Sequence, residues 1–184
     1  MITVHETALA GVVIIEPRVF GDHRGFFQET WRADSYSALG IPEFVQDNHS
    51  RSSYGVLRGL HSQRQRPQGK LVRVASGRVL DVAADVNPNS PTFGQHVAVE
   101  LDDQSGRQLY IPPGYVHGFC VLSESADFIY RCTDYYQPGD EIGVRWDDPD
   151  LNIQWPDITP LLSDKDLALP SLKQLAEQWT REQW

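Results

Sequence analysis

The chain has 184 residues, enough for one domain that buries roughly 70% of its unfolded surface in a single core. Its 16 basic and 25 acidic residues give a net charge of −9, so the surface as a whole would repel nucleic acid and anionic lipid. No apolar run approaches the ~20 residues of a membrane helix, and the N-terminus lacks a signal-type core. These features predict a cytoplasmic protein, one domain over residues 1–184, that binds neither nucleic acid nor membrane.

Short β-patterned runs, broken by turn residues, fill most of the chain. They are Val12–Phe20, Gly25–Trp31, Glu43–His49, Val56–His61, Lys70–Ser76, Val79–Val86, His96–Leu101, Arg107–Ile111, His117–Leu122, Phe128–Thr133 and Ile142–Trp146. Helical character is limited to residues 33–40 and to the C-terminal region, where Ser163 can cap one helix and Pro170 can open another. Many short strands without intervening helices predict an antiparallel sandwich or barrel.

The segment from Val56 to Arg73 concentrates positive charge on two predicted strands. Its apolar residues alternate with Arg58, His61, Lys70 and Arg73, so one imidazole and several cations are expected close together on rigid elements. Crowded like charges at a partly buried site repel one another unless an anion binds there. The segment is therefore the first candidate for an anion-binding or catalytic site.

Two glycine-to-histidine segments, Gly55–His61 and Gly106–His117, resemble in their spacing the two motifs of the cupin family. The resemblance implies an all-β fold, a cupin-like antiparallel jelly-roll barrel with short peripheral and C-terminal helices. Metal-binding cupins have a second histidine and a glutamate in the first motif, but Gln63, Pro67 and Gln68 occupy those positions here. Two imidazoles leave a first-row metal short of the usual three or four protein ligands. We therefore expect no metal site.

Seven segments carry a more specific resemblance. In order and spacing, the chain is similar to the dTDP-4-dehydrorhamnose 3,5-epimerase family at EFVQDNHS (43–50), GVLRGLH (55–61), QGKLVR (68–73), SPTFGQ (90–95), RQLYIPPGYVHGF (107–119), DFIYR (127–131) and LSDKD (162–166). The match runs from about Glu16 to Asp166, nearly the whole chain. It implies epimerisation of a dTDP-linked 4-keto-6-deoxyhexose at C3 and C5, without a cofactor, on the route to dTDP-L-rhamnose.

The resemblance assigns the catalytic roles residue by residue. His61 would be the general base that removes the protons α to the C4 ketone, and Asp166 would orient it. Tyr130 would return a proton from the opposite face, and Lys70 would stabilise the enolate oxygen. This division is physically sensible, because an α-proton leaves only if the developing oxyanion meets a preorganised cation or donor, and inversion needs a base and an acid on opposite faces.

The same resemblance implies a set of substrate-binding residues and a homodimer with N-terminal strands paired across the interface. Arginine suits diphosphate binding because its planar fork can donate two hydrogen bonds to one phosphate. The implied binding residues are Arg24, Glu29, Gln46, Asp47, Asn48, Arg58, Lys70, His117, Glu141 and Lys165. Ser62 and Arg131 depart from the family pattern, and strand alternation predicts that each points away from its catalytic neighbour.

Alternatives to the double epimerase remain open at this point. Relatives that act at one carbon only, or on another nucleotide-linked 4-keto sugar, share most of these motifs. Two different classes of protein also use the cupin barrel. A cupin oxygenase would need bound iron, and a non-catalytic sugar-binding cupin would not need His61 paired with Asp166.

Overall fold

A computed structural model of the chain describes residues 2–182 as thirteen strands and three helices. The strands are β1 (Thr3–Glu6), β2 (Val13–Glu16), β3 (Val19–Asp22), β4 (Gly25–Gln28), β5 (Gln46–Ser53), β6 (Leu57–Gln63), β7 (Lys70–Ser76), β8 (Arg78–Asp85), β9 (His96–Asp102), β10 (Gln108–Ile111), β11 (Tyr115–Val121), β12 (Ser125–Cys132) and β13 (Glu141–Gly143). The helices are α1 (Ala33–Ser37), α2 (Asp164–Leu167) and α3 (Leu172–Glu182). None of these helices is long and apolar enough to cross a membrane.

The strands form two antiparallel sheets and one separate hairpin. The first sheet has the strand order β1-β2-β10-β7-β12-β5, the second has the order β13-β6-β11-β8-β9, and β3 pairs with β4 outside both. Strands that are consecutive in the chain, such as β6 and β7, lie in different sheets. This repeated crossing between two antiparallel sheets is the jelly-roll arrangement, so the predicted architecture is confirmed.

Strand alternation divides the apolar residues between three cores. The inner faces of the two sheets meet in a cluster that includes Val72, Leu109, Phe119 and Phe128. The outer face of the first sheet packs under the segment around α1, and that of the second packs under the C-terminal region with α3. The inner cluster fills one part of the barrel, which leaves the rest of the interior for polar side chains.

The N-terminal region differs from the sequence-based prediction. The predicted strand Val12–Phe20 is two strands, β2 and β3, separated at Pro17, which has no N–H group to donate to a ladder. The next strand ends at Gln28 rather than Trp31, and β1, a strand of mostly exposed residues, was not predicted. As a result β3 and β4 form a hairpin of their own instead of extending the sheet.

Two glycines allow β6 and β11 to cross closely beside the interior. A Cβ atom on Gly118 would lie 2.6 Å from the Arg58 carbonyl oxygen, and one on Gly59, which has a φ of 110°, would lie 2.6 Å from Gly118 Cα. The pairing register shifts here, between His117 and Phe119. Arg58 and His61 are three residues apart, so regular alternation would separate them, yet this irregular crossing leaves both beside one cavity.

We expect Gly118→Ala to lower the free energy of unfolding by about 2 kcal/mol or more, because the added methyl group would collide with backbone atoms. Urea unfolding monitored by circular dichroism measures this difference. Gly21→Ala is the control, since its added methyl group would meet no atom closer than 3.8 Å. Equal losses in the two variants would contradict the close crossing.

Candidate active site

The two sheets enclose a cavity of about 310 Å³ that joins a second of about 340 Å³. Both are bordered by His61, Lys70 and Tyr130, three of the four predicted catalytic residues. Asp166 and His117 also border the first cavity. Each volume falls in the usual range for small-molecule sites. The structure therefore brings residues distant in the sequence to one concave site.

Residues from the two sheets form opposite walls of this site. In the first sheet, Cys132 on β12 is the backbone partner of Gln46 on β5 and of Lys70 on β7. Tyr130, two residues earlier on β12, is the backbone partner of Asn48. In the second sheet, His61 pairs with His117. The lysine and tyrosine therefore project from one sheet, and the histidines project from the other.

His61 lies against Asp166, as the sequence predicts. The distance from His61 Nε2 to Asp166 Oδ1 is 2.6 Å, but the contact does not have the geometry of a well-aligned hydrogen bond. Ser163 caps α2 by accepting a hydrogen bond from the Asp166 N–H, and its hydroxyl donates to Asp166 Oδ2 at 2.7 Å. Burial raises the pKa of Asp166, but its contacts with His61 and Ser163 outweigh burial and hold the pKa below its usual value. The carboxylate is therefore ionised beside the imidazole.

Lys70 opens β7 and borders both cavities, where its side chain is partly buried. Burial lowers the pKa of Lys70, while the nearby Cys132, Asp81 and Glu141 act in the opposite direction without reversing the effect. A partly desolvated ammonium in a polar cavity is suited to stabilising an oxyanion, because few other groups neutralise it.

Tyr130 faces the interior from β12 and packs beside Phe128, with 6.0 Å between the ring centroids. Burial raises the pKa of Tyr130, and Cys132 adds to this effect while Arg58 opposes it. The phenol therefore keeps its proton at neutral pH. It is placed to donate that proton from the wall opposite His61.

A second histidine–carboxylate pair was missed by sequence reasoning. His117 Nε2 lies 2.9 and 3.1 Å from the two carboxylate oxygens of Asp81, whose side chain is fully buried. Asp81 is fully buried among apolar residues in the middle of β8, and a carboxylate at such a position is rarely found without a partner. A carboxylate among apolar residues was the feature of the sequence from which a buried partner could have been predicted. Asp81 fixes the orientation of His117 within the cavity wall.

The rim of the site carries more of the predicted binding residues. Arg58 Nε donates a 3.1 Å hydrogen bond to Ser52 Oγ, and Lys165 forms an ion pair with Glu141. Burial raises the pKa of Glu141, but Lys165 and Tyr136 outweigh that effect and hold it below its usual value. The rim therefore offers cationic groups toward an anionic ligand.

Two charged residues that were expected near the site border neither cavity, Asp47 from the resemblance and Arg73 from the charge pattern. Asp47 points outward from β5, with 56% of its side chain exposed, and pairs at 3.3 Å with Arg131. Arg73 also lies outside the cavity. Burial lowers the pKa of Arg73, and Arg131 adds to this effect while Asp47 and Tyr36 oppose it. In each case the odd spacing from an inward neighbour, Asn48 or Lys70 respectively, directs the side chain to the outer face.

Arg24 and Glu29 do not border the cavity of their own chain. The Arg24 guanidinium group pairs with Asp22 in the β3–β4 hairpin, where 78% of the arginine side chain is exposed. Glu29 follows the hairpin and lies near Arg32, as its influence on the pKa of that group indicates. The structure thus separates these two predicted binding residues from the others.

The two departures from the family pattern have different outcomes. Arg131 points away from Tyr130, as predicted, and lies over the Trp31 ring at 4.7 Å. Ser62 is buried but still borders the adjoining cavity, contrary to the expectation from alternation. Within residues 2–182, no three His, Cys, Asp or Glu side chains lie close enough together to hold a metal ion.

The fold and the site together define a cupin-like jelly-roll enzyme with a histidine–aspartate pair, a buried lysine and a tyrosine around one cavity. The model of the dTDP-4-dehydrorhamnose 3,5-epimerase family matches residues 6–174. A curated relative of that name from Pseudomonas aeruginosa is 53% identical over 162 residues, covering 86% of this chain and 90% of the relative. The chain belongs to the dTDP-4-dehydrorhamnose 3,5-epimerase family.

Solved structures give the same result. A dTDP-6-deoxy-D-glucose-3,5-epimerase from Legionella pneumophila, crystallised with dTDP-4-keto-L-rhamnose, is 49% identical and superimposes with a TM-score of 0.93. The alignment covers 97% of this chain and 96% of that one. A 3′-monoepimerase from Streptomyces bikiniensis, in complex with dTDP-quinovose, is 36% identical with a TM-score of 0.88, over 97% and 96% of the two chains. The shared fold therefore extends to enzymes that act at one carbon.

We expect Lys70→Met to raise the free energy of unfolding at pH 7 by about 1 kcal/mol or more, because it removes a desolvated charge. The folded-state pKa lies below the unfolded value of 10.5, so the cost is full at low pH and fades as pH rises toward that value. Urea unfolding at pH 7 and pH 10 measures the difference, which should narrow at pH 10. The exposed Lys173→Met is the control, and a Lys70→Met variant less stable than wild type would contradict the burial cost.

Proposed function

We propose that this chain converts dTDP-4-dehydro-6-deoxy-D-glucose to dTDP-4-dehydro-L-rhamnose by inverting C3 and C5. The observation that carries the proposal is the placement of His61 and Tyr130 on opposite walls of one cavity, with Lys70 between the sheets. Family membership supports the same reaction. A base and an acid on opposite faces are what inversion of a carbon centre requires.

The proposed chemistry uses one pair of groups at each carbon. The His61 imidazole removes the proton α to the C4 ketone, and the C–H electrons move into an enolate whose oxygen is stabilised by the Lys70 ammonium. The Tyr130 hydroxyl then gives its proton to the opposite face of the carbon. Asp166 keeps the imidazole oriented and favours the imidazolium that forms. Proton exchange with water restores both groups before the second carbon reacts.

Solvent deuterium tests this division of roles. In D₂O we expect wild type to place label at both C3 and C5 of the product, which NMR of the sugar resolves. His61→Ala should lose exchange and inversion together, because no base remains. Tyr130→Phe should lose inversion by a factor of about 10²–10⁴ but keep exchange, since His61 can return a deuteron to the same face.

Tyr135→Phe provides the matched control, because that tyrosine is 56% exposed and borders neither cavity. Label at one carbon in wild type would favour a mono-epimerase. The similarity to the Streptomyces bikiniensis enzyme supports this alternative. Loss of exchange in Tyr130→Phe would contradict the assignment of His61 as the sole base.

We also propose that the chain acts as a homodimer in which Arg24 and Glu29 serve the cavity of the partner subunit. The β3–β4 hairpin supports this proposal, because it exposes Phe26 and Phe27 at 68% and 67% and holds Arg24 away from its own cavity. Large exposed aromatic groups on a short hairpin mark an interaction surface. An arginine there could reach a phosphate only in a second copy.

Subunit mixing tests the dimer. Arg24→Ala alone should raise KM about tenfold, through loss of a charge-assisted hydrogen bond, and His61→Ala alone should be inactive. Mixed dimers of the two variants should regain a wild-type KM, because the cavity that keeps His61 would receive Arg24 from the other subunit. A KM in the mixture equal to that of Arg24→Ala, or a monomer by analytical ultracentrifugation, would contradict the proposal.

A further inference from the structure

Ser50 has a buried hydroxyl group that no residue of the described chain satisfies. Its Oγ atom is inaccessible to water and has no hydrogen-bond partner within residues 2–182. Ser50 also borders the main cavity, with His61 and Tyr130. A buried hydroxyl without a partner is unfavourable, so its retention inside the binding site suggests that a ligand satisfies it.

The alternation of β5 explains why this serine faces the cavity. Inward positions on the strand are Gln46, Asn48, Ser50 and Ser52, and the intervening residues are exposed. The first two of these border the adjoining cavity, and Ser50 borders the main one. The strand therefore supplies a continuous polar row to the site, of which sequence reasoning identified only the first part.

The surroundings of Ser50 within the protein offer no acceptor for its proton. On β12 it pairs with Phe128, a buried ring that stacks on Phe119 with 4.1 Å between centroids. The next inward serine differs, because Ser52 accepts the 3.1 Å hydrogen bond from Arg58 Nε. The Ser50 hydroxyl therefore lies beside an aromatic ring without a hydrogen-bond partner. It is about 7 Å, two residues along the strand, from Ser52, which binds Arg58.

The charges around Ser50 indicate the kind of ligand group that it meets. Arg58 and Lys165 border the same cavity, and both bring positive charge to its rim. A hydroxyl donor beside cations is complementary to a phosphoryl oxygen, since charged acceptors form the stronger hydrogen bonds.

We propose that Ser50 is a substrate-binding residue whose hydroxyl donates a hydrogen bond to the diphosphate of the nucleotide sugar, beside Arg58. This inference rests on the proposed function, because it takes the ligand to be a dTDP-linked sugar. It adds a phosphate contact from β5 to the groups assigned by resemblance.

Calorimetric titration with dTDP and with thymidine tests the inference. Ser50→Ala should raise the Kd for dTDP roughly tenfold, as expected for one hydrogen bond to a charged group, and should leave thymidine binding unchanged. Ser53→Ala is the matched control, because Ser53 lies on the exposed face of the same strand. Thermal unfolding of the free variants should show Ser50→Ala at least as stable as wild type.

The outcomes separate this inference from the function on which it rests. If wild type binds dTDP and Ser50→Ala binds it equally well, the phosphate contact is wrong while the proposed function stands. If wild type fails to bind dTDP, both are wrong. A Ser50→Ala variant that is destabilised without ligand, with an unchanged dTDP-induced rise in melting temperature, would assign the serine a structural role only.

Discussion

The burial of the Lys70 ammonium is the constraint on which the rest of the site depends. A charge inside a jelly roll is unfavourable unless nearby groups compensate for it, and Asp81 and Glu141 provide that compensation only in part. The apolar inner core fills one end of the barrel, and the polar groups gather at the other end. The residual cost in the free protein favours binding of an anion, such as the enolate of the proposed reaction.

The two histidines are fixed in similar ways but by different parts of the fold. His117 is held by Asp81 from the adjacent strand of its own sheet, whereas His61 is held by Asp166 from a short helix about a hundred residues later. The serine cap of that helix also binds the carboxylate. The C-terminal region therefore does more than cover the second sheet, because it completes the site.

Much of the fold followed from local patterns in the sequence. Alternating apolar residues and turn signals predicted most strands, and the resemblance predicted the grouping of His61, Lys70, Tyr130 and Asp166. That residues 1–184 form one domain stays a prediction. Asp47 was assigned by its neighbours in a motif, although alternation directs it outward. The sequence does not reveal the irregular crossing at Gly59, nor the partner that Asp81 finds across the sheet.

A crystal structure of a substrate complex would show whether the sugar ring lies between the two sheets. His61→Asn with dTDP-4-dehydro-6-deoxy-D-glucose would hold the unreacted ligand in place. In that complex we expect residue 61 and Tyr130 to approach opposite faces of the ring, within about 3.5 Å of the reacting carbons. The C4 oxygen should lie within hydrogen-bonding distance of Lys70 Nζ. A ring with both residues on the same face, or a C4 oxygen turned away from Lys70, would contradict the account.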